Sequence, residues 1–211
     1  MKKLFDDLWQ TSVEHPFSGL NSHAYFLQRD EGNVLFYNTS HPAEFKEISK
    51  LGGISYQYLS HRHESAQSLA VIKSTFHSQL CADALEAPFI DTKIDTTFSK
   101  RQTHSSNIEI IPTPGHTTGG LCFYYESPHG LRYLFTGDTL FRSNERWGAL
   151  VISSDGGSTE ILIQSLASLR ALTPDVVISS ASVGAVSVLE VTHQQWHEAI
   201  DTNIQELSRR A

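Results

Sequence analysis

The chain has 211 residues, with 16 Lys+Arg against 23 Asp+Glu and a formal net charge of −7. At 39% hydrophobic and 18% charged residues it is neither disordered nor fibrous, and its length suits one domain around one core. An acidic balance without a Lys/Arg cluster argues against nucleic acid or a membrane surface as partner, because both need a concentrated positive patch.

The N-terminus opens like an export signal, but Asp6 and Asp7 fall where its apolar stretch would begin, so a cytoplasmic chain is expected. Short strands are predicted over 23–28 and 34–38, with Glu31-Gly32-Asn33 as the turn between them. A helix over 42–51 starts with Pro42, whose missing N–H costs nothing in a first turn, and Gly52-Gly53 ends it. Residues 56–60 read as a buried strand. From 65 to 80, Leu69, Ile72, Phe76 and Leu80 recur at spacings of three and four, one helical face. Strands follow at 108–112, 121–125 and 131–136, then a helix over 158–172 carrying the stripe Leu162, Leu166 and Leu169. A strand at 176–180 precedes a last helix over 192–209, with Trp196, Ile200, Ile204 and Leu207 on one side. Strands alternate with helices in both halves, and the strand pairs read as hairpins. This predicts two mixed sheets covered by helices, rather than one doubly wound parallel sheet. No repeat or linker divides the chain, so residues 1–211 are expected to form a single domain.

Eleven histidines raise a metal question, and three segments sharpen it. Ser60-His61-Arg62-His63-Glu64 follows a strand, Pro114-Gly115-His116-Thr117 lies between two, and Gly137-Asp138-Thr139 comes directly after another. Each puts a ligand-type side chain on a loop at a strand end, where a rigid scaffold can aim it. If the backbone of His61-x-His63 is extended, its two imidazoles point the same way and both reach one ion. Three neutral imidazoles leave one position of a tetrahedral zinc open for water, the pattern of a catalytic site. Asp138 either joins that shell or holds the bound water. His193 and His197, four apart on the last helix, read as a solvated face. Arg142, Arg146 and Trp147 follow Asp138 on a loop that either meets substrate or makes ordinary surface contacts. Cys81 and Cys122 stand far apart, which suits a reducing compartment, and Cys122 reads as a buried strand residue.

In this order and spacing the three segments resemble the metallo-beta-lactamase superfamily, over about residues 23–181. The glyoxalase II-like and lactonase-like hydrolases are the nearest in character. The resemblance implies an αββα four-layer sandwich with the site at one edge between the sheets. It assigns His61, His63, His116 and Asp138 as metal ligands. Three positions depart from the family pattern. Its first motif, H-x-H-x-D-H, has Ser65 and Ala66 here in place of Asp and the last His. The family's final metal His falls near Val176–Ala181, where no His stands. The ligands lost all belong to a second metal.

The expectation is therefore a hydrolase of ester, thioester or lactone bonds in a small-molecule substrate, using water activated by one divalent metal ion. Zinc is the expected metal, with iron and manganese as alternatives. Asp138 is the expected general base, since Ser65 has no basic group and Glu64, at the alternate position, should point away from His61 and His63. Two other readings stand beside it. One is a fold that has lost catalysis and serves as a binding or regulatory module. The other is a mononuclear iron oxidoreductase of the persulfide dioxygenase kind.

Overall fold

The computed structural model describes residues 1–210. The chain opens with β1 (Lys2–Lys3), β2 (Leu8–Gln10), β3 (Glu14–Phe17), β4 (Leu20–Ser22), β5 (Tyr25–Leu27) and β6 (Val34–Phe36). Helix α1 (Pro42–Lys50), β7 (Tyr56–Tyr58), α2 (Ser68–Phe76), β8 (Gln79–Asp83) and β9 (Thr96–Phe98) follow. Then come β10 (Gln102–His104), β11 (Ile108–Pro112), β12 (Leu121–Glu126), β13 (Arg132–Gly137), β14 (Phe141–Ser143) and β15 (Arg146–Gly148). Helix α3 (Thr159–Leu169), β16 (Val176–Ser179), β17 (Ala181–Val183), β18 (Val188–Glu190) and α4 (His193–Ser208) complete the chain.

Two mixed sheets carry the core, as expected. The first runs β1-β2-β5-β6-β7-β8-β9 and the second β10-β11-β12-β13-β16-β18. Pairs β6–β7 and β7–β8 are parallel because α1 and α2 return the chain across the sheet, a crossover that a tight turn cannot make. Facing side chains of the two sheets interlock between them: Tyr25, Phe36 and Tyr58 meet Phe123, Phe135 and Ile178. The Phe36 and Phe135 rings stack at 3.8 Å. On the outer face of the first sheet, Ile48 of α1 and Ile72 of α2 cover Phe26 and Leu35. On the outer face of the second, α3 and α4 bury Leu162, Leu166, Trp196 and Ile200 against Cys122, Leu134 and Val177. Each such side chain contributes roughly 1.5–3 kcal/mol by leaving water. The layers are thus helix, sheet, sheet, helix, the expected αββα sandwich. No helix among the described residues is long and apolar enough to cross a membrane.

Several predicted boundaries shift for identifiable reasons. The helix expected over 65–80 stops at Phe76, where His77 takes a left-handed φ of 54°, and Leu80 belongs instead to β8. The strand expected over 34–38 ends at Phe36, because Tyr37 has a φ of 68°. A third sheet, β15-β14-β17-β4-β3, was not foreseen. Its strands are three or four residues long, too short for a period of two to show. It matters because β14 and β17 carry the chain away from Asp138 and Ser180.

Candidate metal centre

His61 follows β7, His63 lies in a 3-10 turn over Arg62–Glu64, His116 sits between β11 and β12, and Asp138 follows β13. Backbone hydrogen bonds tie these loops together: Leu121 N donates to Ser60 O at 2.9 Å and Ser180 N to Gly137 O at 3.3 Å. Two glycines make the close approach possible. Gly115 has a φ of +126° and its Cα faces the backbone of Leu162, while Gly137, at +54°, packs on the Ser60 hydroxyl. A Cβ at either would collide with that neighbour.

One ring nitrogen from each of His61, His63 and His116 lies within 4.8 Å of the other two. The three rings meet edge to face, with centroids 4.9–5.6 Å apart. The extended arrangement expected for His61-x-His63 is not what brings them together. His61 is extended, but residues 62–64 wind into the 3-10 turn. That turn also swings Glu64 inward, against expectation. Glu64 accepts hydrogen bonds from Ser60 Oγ at 2.5 Å and Ser60 N at 2.8 Å, and its Oε1 lies 3.5 Å from His61 Nδ1.

The outward-facing nitrogen of every ring is held. Leu150 O, which can only accept, lies 2.7 Å from His116 Nδ1, so that nitrogen carries a proton. His63 Nε2 lies 2.6 Å from the Asp155 carboxylate and donates to it. The Ser60 hydroxyl gives its proton to Glu64, so at 2.9 Å it accepts from His61 Nδ1. With the outer nitrogens protonated, each neutral ring turns a lone pair inward: Nε2 of His61 and His116, and Nδ1 of His63. Nε2 of both His61 and His116 is buried without a hydrogen-bond partner. Orphaned buried nitrogens of this kind are costly in a folded protein unless something binds them. A ligand set of three oriented imidazoles, each anchored by an outer partner, suits a divalent ion.

Asp138 stands beside this trio. Its Oδ2 lies 3.5 Å from His61 Nε2 and 3.9 Å from His116 Nε2, whereas Oδ1 accepts a 2.5 Å hydrogen bond from Ser180 Oγ. A cavity of about 10 Å³ opens here, lined by His61, His116, Asp138, Thr113 and Thr139 among others. The local field favours a cation. Burial opposes charge on His61, yet Asp138 and Glu64 outweigh it and raise that imidazole to about 10, so in the metal-free chain His61 carries a second proton on the inner nitrogen, where a metal ion would take its place. His116 is pushed down by burial and by His61. Burial works against the Asp138 carboxylate too, but His61, His116 and Ser180 hold it well below the usual range, so it is ionised at neutral pH.

Four further residues shape the site without having stood out in the sequence. Ser180 occupies the stretch where the family pattern puts a histidine. Tyr37 accepts from Gly137 N at 2.8 Å and donates to Ile178 O at 3.1 Å, which sets the start of the Asp138 loop. Asp155 and the fully buried Glu86 come from loops with no chemical motif. Only Glu64, three residues from His61, carried a readable signal, since a tight turn would have returned it to the site. Elsewhere, Arg142 is buried and donates to Asn144 O, and with Arg146 and Trp147 it lines a cavity of about 360 Å³ against α4, not the histidine cluster. His193 and His197 lie in no metal-binding group among the described residues. Burial pushes the Cys122 thiol up to about 11, which leaves it inert near neutral pH.

Residues 102–181 match the family model of the metallo-beta-lactamase superfamily. A probable polyketide biosynthesis zinc-dependent hydrolase, BaeB, from Bacillus velezensis is 31% identical over 122 residues, 55% of this chain. The match covers only 50% of the length of that relative. Among solved structures, a metallo-beta-lactamase from Pontibacter korlensis superposes with a TM-score of 0.74 at 17% identity, covering 98% of this chain and 97% of that one. The subclass B3 metallo-beta-lactamase BJP-1 of Bradyrhizobium japonicum gives 0.69 at 17% identity, covering 99% and 92%. At such identities the structures speak for the fold.

Proposed function

We propose that this chain is a member of the metallo-beta-lactamase superfamily, whose family model residues 102–181 match, and that it is a hydrolase dependent on one divalent metal ion. Zinc is the metal and a small-molecule ester, thioester or lactone the substrate. The observation that carries this reading is the set of three imidazoles whose outer nitrogens are all engaged and whose inner ones are not. His61, His63 and His116 would hold the ion, and Asp138 stands beside them. The chemistry zinc would supply there is that of a Lewis acid that lowers the pKa of water to about 7, enough for acyl hydrolysis without a second metal.

Asp138 is the base. Ser180 occupies its Oδ1, so Oδ2, the oxygen turned toward His61 and His116, accepts the proton of the attacking water. Ser65 and Ala66 supply no carboxylate or imidazole for a second ion. The zinc-dependent relative supports the choice of metal and of reaction class. Metal analysis of protein purified after growth with zinc tests the reading: one equivalent is expected, and His116→Ala should remove it. Turnover of activated esters, thioesters or lactones should disappear in His61→Ala. Two equivalents, or none in the unmutated chain, would overturn the proposal.

A further inference from the structure

Glu86 lies in the loop after β8, outside every segment that carries a ligand, and it is completely buried. Its carboxylate accepts five hydrogen bonds. Oε2 takes Arg62 N at 2.9 Å and Arg62 Nε at 2.7 Å. Oε1 takes Arg62 Nη2 at 2.8 Å, Thr117 Oγ1 at 3.1 Å and Gly119 N at 2.7 Å. Arg62 is the residue between His61 and His63, and Thr117 follows His116 directly. The carboxylate therefore joins the two loops that bear the imidazoles: Oε2 binds the first alone and Oε1 binds both.

We propose that Glu86 is the positioning residue of the metal centre, a clamp that sets the distance between the His61–His63 pair and His116. Three features support a positioning role over loop stabilisation alone. The bonds at Arg62 N and Gly119 N are to backbone, so they set the course of the chain on both sides of the site and not merely the place of side chains. Gly119 has no room for a Cβ, which would strike Asp83 and the Glu86 stem, so this loop is shaped around the carboxylate. The outer face of the Arg62 guanidinium is closed by the Phe89 ring, 3.6 Å from Cζ, which keeps the pair from swinging out toward water. A buried ion pair is a weak route to stability, because desolvation offsets much of its attraction. What it does supply here is a fixed geometry, and ligand preorganisation is where partners outside the ligand set act on affinity.

The inference rests on the metal reading above, and its test separates the two. Chelator-treated wild type, Glu86→Gln and the double variant Arg62→Met/Glu86→Gln are titrated with zinc against a chromophoric chelator. Each is also loaded with Co(II) for its visible absorption spectrum, and the fold of the metal-free form is checked by circular dichroism. Glu86→Gln, folded, should bind zinc roughly 10–100-fold more weakly and give altered cobalt bands, which loss of loop stability alone would leave unmoved. The double variant leaves no buried charge unmatched and carries the test if the single one fails to fold; it should show the same weakening. Folded variants with wild-type zinc affinity and cobalt spectrum would overturn the clamp alone. A wild type that binds neither metal would overturn the metal centre, and the clamp with it.

Discussion

Two neighbouring regions of the site treat their polar atoms in opposite ways. Around His61, His63 and His116, the outer nitrogens are bonded and Nε2 of His61 and His116 is left buried and bare. A few residues away, around Asn38, Glu64 and Ser180, the protein has paired its own groups off. Ser180 Oγ donates to Asp138 Oδ1, Ser68 Oγ donates to Asn38 Oδ1 at 3.1 Å, and Asn38 Nδ2 donates to Glu64 O at 2.9 Å. The lesson is that an ion site shows itself by what is withheld from internal hydrogen bonding. Where the groups bond one another instead, no inward-facing atom is left for an ion.

The comparison can be broken most directly by exchanging one residue from each side. His61→Ala should empty the metal site, measured as zinc content after dialysis. Asn38→Ala should leave that content unchanged while lowering stability to denaturant by about 1–3 kcal/mol, the cost of stranding buried polar partners. Loss of metal in the Asn38 variant would erase the distinction.

Next in size is a pH effect at the clamp between the ligand loops. Burial raises the Glu86 carboxyl, but Arg62 and Gly119 N outweigh it and bring it from 4.5 down to about 2. A carboxyl held lower in the folded chain than in the unfolded one stabilises fully above its unfolded value. That stabilisation fades as the pH falls from 4.5 through about 2. Thermal midpoints of metal-free wild type and Glu86→Gln should therefore converge as the pH is lowered through that window. A constant gap between them would contradict the assignment.

Smaller again is Tyr37→Phe, which strips Gly137 N and Ile178 O of their shared partner and should cost about 1–3 kcal/mol without changing metal content. The least effect is expected from Ser180→Ala. Buried, but with one side-chain hydrogen bond to lose, this variant should fall in stability by about 1 kcal/mol and still hold a single ion. A second equivalent of zinc in that variant would mean that Ser180 alone had been keeping the other site closed.

Much of this could be read from residue order. The stripes Leu162-Leu166-Leu169 and Trp196-Ile200-Leu207 marked the two helices that cover the second sheet, because a helix packed on one side repeats near 3.6 residues. Strands of three residues, such as β14 and β17, are too short to carry a period of their own. The helix expected to run on to Leu80 shows the same limit. Leu80 fitted the spacing of α2, but the left-handed turn at His77 hands it to β8.

At the site the division is sharper. The sequence by itself determined which chemistry was available: three imidazoles and a carboxylate on strand-end loops, with serine and alanine where two more ligands would stand. That is a property of residue type and local spacing. Only the tertiary structure decided which way each ring faces. The partners that orient them, Glu64 through Ser60, Asp155, the carbonyl of Leu150 and the clamp at Glu86, come from a turn and from two separate loops. Their roles depend on hydrogen bonds at 2.5–2.9 Å, and such distances are set by how sheets and loops pack, not by neighbours along the chain.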